Sequence, residues 1–176
     1  LADGSEVARL HAACARSQTE HWHAGPITVE EGGAKPAAAP VRLVNPANEA
    51  EVVGTVTHAS VAQVERAIEV ARAAQPRWDA LGGAARAALL ERAADLMAAD
   101  REALVARCVR EAGKSLPDSI AEVREAEDFL RYYAARARLE FEGELVLPGP
   151  TGERNTLRLS GRGVFGCISP WNFPVA

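Results

Sequence analysis

Apolar residues recur at three- and four-residue steps through much of the first 140 positions and switch to short β-type runs thereafter. Residues 5–16 set Val7, Leu10, His11 and Cys14 on one stripe, which predicts a short amphipathic helix. The stretch AGPITVEEGGAKPAAAP (24–40) has little to bury and reads as a linker, with a boundary near residue 40. VRLV and EVVGTV, separated by the turn residues of NPANEA, predict a strand pair. A helix follows from Ser60, whose spacing to Gln63 is that of a capping box, with Val61, Val64, Ile68, Ala71, Gln75 and Trp78 in line. Pro76 is expected to kink or end it, and Gly82-Gly83 to stop it. A second helix over 85–99 carries Leu89, Ala93, Leu96 and Met97. Asp100 is placed to cap a third, with Leu104, Val105, Cys108 and Val109, which Gly113 ends. Ser115 and Asp118, with Pro117 in the first turn, open a long helix through Phe129, Leu130, Tyr133 and Ala137.

Beyond Gly143 the texture changes: ELVLPG, the turn PTGERN and TLRLS predict a hairpin, and GVFGCIS predicts a strand at 164–169 buried on both faces. The fold class is α/β, with four main helices, a short N-terminal strand pair and a hairpin. Two units are expected: residues 1–40, a helix and linker, and residues 41–176, one part of a larger domain. A chain of 176 residues accommodates one core.

With 48% apolar and 25% charged residues and a net charge of −4, the composition is that of a soluble globular protein without the basic footprint of a nucleic-acid binder. Nearly all the basic charge is arginine, spaced against glutamates as on solvated helix faces; Lys35 and Lys114 are the lysines. No apolar run is long enough for a membrane helix and no signal peptide is legible, so a cytoplasmic location is expected. Cys14, Cys108 and Cys167 are too scattered for a disulfide framework or a zinc site. The chain starts at Leu1 and stops after a proline-rich cluster, and both ends read as cut.

Several motifs dissolve on inspection. REAGKS ends like a phosphate-binding loop, but Cys108 stands where that loop needs glycine, so Gly113 reads as a helix stop. His21-Trp22-His23 has no third ligand at suitable spacing, and no metal site is expected. Gly161, Gly163 and Gly166 match G-x-G-x-x-G, yet they precede an apolar strand instead of opening a helix, so the match is one of spacing alone. Glu122 and Glu125 share a face of the long helix with Phe129 and are candidates for a substrate pocket, the ordinary alternative being arginine partners such as Arg124.

The end, CISPWNFP, is another matter, because it carries a strand straight into residues that pin the backbone and present one amide. G-V-x-G-x-I-x-P-W-N-F-P resembles the signature of the aldehyde dehydrogenase superfamily. NPANEAEVVGTV, ARAAQPRWDAL, the LLERAADLM helix and REAGKSL followed by EVREAEDFLRYYA resemble the start of its cofactor domain in the same order, over residues 41–176. Within it, HWHAGPI and the REAGKSL…YYAARAR stretch look most like the Δ1-pyrroline-5-carboxylate dehydrogenase module of bacterial bifunctional proline-utilisation proteins.

That resemblance implies an NAD-dependent oxidation of L-glutamate γ-semialdehyde to L-glutamate in proline catabolism. NADP is an open alternative cofactor, and FAD enters only if a proline dehydrogenase domain precedes this segment. Asn172 matches the family's oxyanion-hole amide, and Ile168, Ser169, Pro170 and Trp171 match the strand end that lies along the cofactor. Residues 143–160 correspond to the hairpin used in homo-oligomer contacts. The family's nucleophilic cysteine and general-base glutamate belong to sequence after Ala176, so the segment alone is expected to be inactive and to fold poorly. Two other readings stand beside this one: an aldehyde dehydrogenase of other specificity, and a non-catalytic helical interaction module.

Overall fold

The computed structural model describes residues 3–27 and 39–176; most of the expected linker, residues 28–38, lies outside the described residues. Helix α1 (Gly4–Ser17) is capped by Asp3, whose carboxylate accepts from the Ser5 amide at 2.9 Å. It leads into strand β1 (Trp22–Ala24), then β2 (Val41–Asn45) and β3 (Asn48–Val56). Four helices follow: α2 (Val61–Asp79), α3 (Gly82–Ala99), α4 (Arg101–Ala112) and α5 (Leu116–Glu140). A hairpin of β4 (Leu145–Leu147) and β5 (Asn155–Leu157) precedes the tail.

The expected strand pair forms as the antiparallel β2–β3 ladder, and β1 adds a third strand parallel to β3, giving the order β1-β3-β2. Residues 22–24 are thus a strand that the sequence did not announce. Three residues are too few to show alternation, and the strand exists only because β3 offers it a free edge. Gly54 makes the pairing possible: a Cβ there would lie 2.0 Å from the Trp22 carbonyl oxygen.

Capping follows the sequence closely. Ser60 and Gln63 form a reciprocal capping box, the amide and hydroxyl lying at 3.2 Å. Gly113 ends α4 in the left-handed conformation at φ 66°, and Ser115 caps α5. Helix α2, however, runs through Pro76 to Asp79. Only one turn remains after the proline, and its carbonyl still accepts from the Ala80 amide at 3.1 Å, so the missing N–H weakens the helix end without breaking it. Asp100 occupies the start of α4 but gives no side-chain cap.

The core lies where α1, α4 and α5 meet, on Leu10, Val105, Cys108 and Val123, with Leu104, Leu116, Ile120 and Val175 packed around them. The α3–α5 contact is built from small residues instead. Gly83, Ala87 and Ala94 are the buried residues of α3, Ala126 and Ala134 are buried on α5, and a Cβ on Gly83 would stand 2.2 Å from the Ala137 carbonyl oxygen. The expected Phe129–Tyr133 stripe of α5 is half-exposed, because it is the small-residue face that lets the helices approach.

The strand expected at 164–169 does not form. Residues 158–170 have no regular structure and are exposed, with Ile168 98% accessible. An apolar strand of this kind needs a neighbour for its amides and carbonyls, and none stands beside it among the described residues.

Candidate active site around the Pro170–Val175 turn

The tail is tied down at two points. Upstream, the Gly161 amide donates to Asp79 Oδ1 at 2.8 Å, at the end of α2. Downstream, Pro170 to Phe173 form a tight turn closed by the Phe173 amide on the Pro170 carbonyl at 3.3 Å. Proline at the first position of this turn and at 174 restricts the backbone on both sides of Asn172. Asn172 itself is exposed, as are Ile168, Ser169, Pro170 and Trp171.

The seat of the turn lies between α4 and α5. Trp171, Pro174 and Val175 line a depression with Leu104, Cys108 and Glu111 of α4. The Val175 amide donates to Glu122 Oε1 at 2.7 Å, and Lys114 Nζ pairs with Glu122 Oε2. The same ammonium stands 4.8 Å from the centroid of the Phe173 ring, within cation–π range. Lys114 reaches this position from the left-handed turn at Gly113, immediately after which Ser115 starts α5.

The structure therefore divides the two glutamates that sequence placed together. Glu122 is 2% exposed and turned inward onto Lys114 and Val175, whereas Glu125 is exposed and lines an open groove with Pro117, Ile120, Arg124 and Phe129. Lys114 and Val175 were not legible as site residues. The available signal was that Lys114 is one of two lysines in an arginine-rich chain.

Cysteine chemistry points away from a nucleophile at the covered positions. Burial, followed by the charge of Glu122, pushes the Cys108 thiol up to about 11, and burial also raises Cys14. Cys167, expected inside a buried strand, is exposed because that strand is not formed.

A second polar centre holds the N-terminal elements. Arg110 is 5% exposed and donates to the carbonyls of Glu20 at 2.6 Å, Gln18 at 3.2 Å and Ser17, and to Glu51 Oε1 at 2.5 Å. Its guanidinium lies 5.2 Å from the Trp22 ring centroid. The bond from Arg110, with a second from Asn45, holds the Glu51 carboxyl below its usual range. Sequence reasoning missed Arg110, since one arginine among many carries no mark of burial.

An α/β segment that ends in a Pro-Trp-Asn-Phe-Pro turn seated on a helix pair defines a class. The chain belongs to the aldehyde dehydrogenase family, whose model matches residues 34–176. It is 41% identical to the bifunctional protein PutA of Escherichia coli over 177 residues, which cover the whole of this chain and 12% of that protein. Its fold superposes on proline utilization A from Bdellovibrio bacteriovorus with a TM-score of 0.90 at 30% identity, covering 99% of this chain and 18% of that one. It superposes on the 1-pyrroline-5-carboxylate dehydrogenase from Thermus with bound NAD with a TM-score of 0.86 at 33% identity, covering 99% and 34%. The chain thus spans about an eighth of the length of the bifunctional relative.

Proposed function

We propose that these residues are part of an NAD-dependent dehydrogenase that oxidises L-glutamate γ-semialdehyde to L-glutamate in proline catabolism. The observation that carries this reading is the turn that exposes Asn172 while fastening the residues on either side of it. In such a reaction a thiolate adds to the aldehyde carbon, and negative charge gathers on the former carbonyl oxygen. The Asn172 amide donates to that oxygen, and a donor held in place before the reaction acts without reorganising. The thiolate and the glutamate that activates water for thioester hydrolysis are expected in the part of the relatives' length that this chain does not span.

The exposed backbone of Ile168 to Trp171 fits a dinucleotide alongside it, since these residues stand open to solvent and Pro170 stiffens the path. NAD, when bound, supplies the hydride acceptor. Ile168, Ser169 and Trp171 orient it and exclude water on that side. Within this reading the enzyme is cytoplasmic and homo-oligomeric. The hairpin at 143–160, with Leu145 and Val146 each 61% exposed, supplies the subunit contact.

The test is product formation by the full-length protein. Incubated with L-glutamate γ-semialdehyde and NAD, it is expected to yield glutamate and NADH in equal amounts. Asn172→Ala is expected to lower kcat by about 100- to 1,000-fold while leaving NAD binding intact. Faster turnover of an unrelated aldehyde would move the assignment to another specificity, and absence of NADH with any aldehyde would end it.

A further inference from the structure

We propose that Glu122 and Lys114 are positioning residues for catalysis, holding Asn172 at the oxyanion through the backbone of the turn. This deepens the reading of the turn as part of an aldehyde dehydrogenase site and rests on it.

A carboxylate that is 2% exposed on a helix face is costly unless paired and hydrogen-bonded, and the partners of Glu122, the Val175 amide and the Lys114 ammonium, lie outside α5. One is the amide of Val175, three residues after Asn172, at 2.7 Å. The other is the ammonium of Lys114, which also faces the Phe173 ring, one residue after Asn172. The turn's own hydrogen bond, Phe173 amide to Pro170 carbonyl, fixes Asn172 relative to Phe173. The path from buried carboxylate to exposed amide is therefore short and stiff at each step: Glu122 holds Val175, Lys114 holds Phe173, and the turn holds Asn172.

Helix α5 and the Gly113 turn supply the fixed frame. Glu122 lies beside Val123, which is fully buried in the core, and Lys114 sits between the end of α4 and the capped start of α5. The side chain that touches the reacting oxygen is exposed, and the pair that aims it is covered. Neither Glu122 nor Lys114 needs to meet the substrate.

The experiment uses the full-length enzyme with Glu122→Ala, Glu122→Gln, Lys114→Met, Asn172→Ala and the double variant Glu122→Ala/Asn172→Ala. Glu122→Ala is expected to lower kcat by roughly 10- to 100-fold, the scale of a misplacement of about 1 Å, with NAD affinity and the titrated number of active sites unchanged. Glu122→Gln keeps an acceptor for the Val175 amide and is expected to recover part of the loss, with Lys114→Met falling between. The double variant is expected to be no more than about 2-fold slower than Asn172→Ala, because Glu122 acts through that amide. Independent, multiplying losses in the double variant would overturn the proposal. So would a Glu122→Ala loss accounted for wholly by fewer active sites, which marks a merely structural residue; should that variant not fold, Glu122→Gln and Lys114→Met carry the same comparison. Full turnover in Asn172→Ala would instead overturn the enzymatic reading of the turn.

Discussion

The helices α1, α4 and α5 and the tail at 158–170 all carry bulky apolar side chains, yet Leu10, Val105 and Val123 are fully buried while Phe165 is 72% exposed and Ile168 98%. Helix α2 stands with the tail, its Val61 being 76% exposed and none of its residues buried. The difference lies in where each element finds its hydrogen bonds. A helix satisfies its own backbone, so α2 persists without burying a residue, whereas a strand takes its partners from elsewhere in the chain. Periodicity and caps therefore announce a helix whether or not it is covered, and an apolar run announces a strand only if the partner is present.

The strongest way to break this contrast is to attack the buried centre on the packed side. Arg110→Met strips the donors from several carbonyls and leaves Glu51 without its guanidinium, and is expected to cost about 3–5 kcal/mol in unfolding free energy. An unchanged denaturation midpoint would show that α1 and β1 are held by other contacts. Because the Glu51 carboxyl is depressed, its share of stability is present above its usual value near 4.5 and is lost as the pH falls through the lowered one. Acid titration of the wild type should show this loss, and Arg110→Met should not.

Next comes the close helix pair. Gly83→Val is expected to cost about 1–3 kcal/mol by forcing α3 from α5, while Gly143→Ala, where nothing lies within 4 Å of the added carbon, should stay within about 0.5 kcal/mol. Similar destabilisation by both, measured by thermal unfolding, would remove the packing argument. Ser60→Ala, which deletes half of a capping box on the uncovered helix, is expected to cost about 1 kcal/mol.

The gentlest probe changes no residue. Iodoacetamide should label Cys167 of the 176-residue chain first and leave Cys108 untouched until unfolding, as followed by mass spectrometry. The raised thiol of Cys108 carries about 100-fold less thiolate at a given pH than an ordinary one near 9. Its contribution to stability is complete below about 9 and disappears as the pH climbs towards about 11. Equal labelling of both cysteines at neutral pH would mean that the tail and the core are not different environments.

The same logic explains what could be read from the letters alone. Ser60, Gly113 and Ser115 mark helix ends because their chemistry acts within four residues, and the Pro-Trp-Asn-Phe-Pro turn is likewise local. Strand β1 was hidden because Trp22 meets Gly54 across 32 positions of sequence. The seat of the turn was hidden for a similar reason: Glu122 and Val175 are 53 residues apart, and neither carries a pattern that names the other. Glu122 and Glu125 look alike at helical spacing, and only the packing of α4 against α5 separates an inward carboxylate from an outward one.

Two of the three tryptophans make the molecule its own optical reporter once Trp78 is replaced by phenylalanine. Trp22 lies under the guanidinium groups of Arg107 and Arg110, at 5.5 and 5.2 Å, while Trp171 is 91% open to water. Emission from the first indole should follow the docking of the N-terminal strand. Emission from the second should shift to the blue whenever a dinucleotide or another stretch of polypeptide comes to rest on the tail.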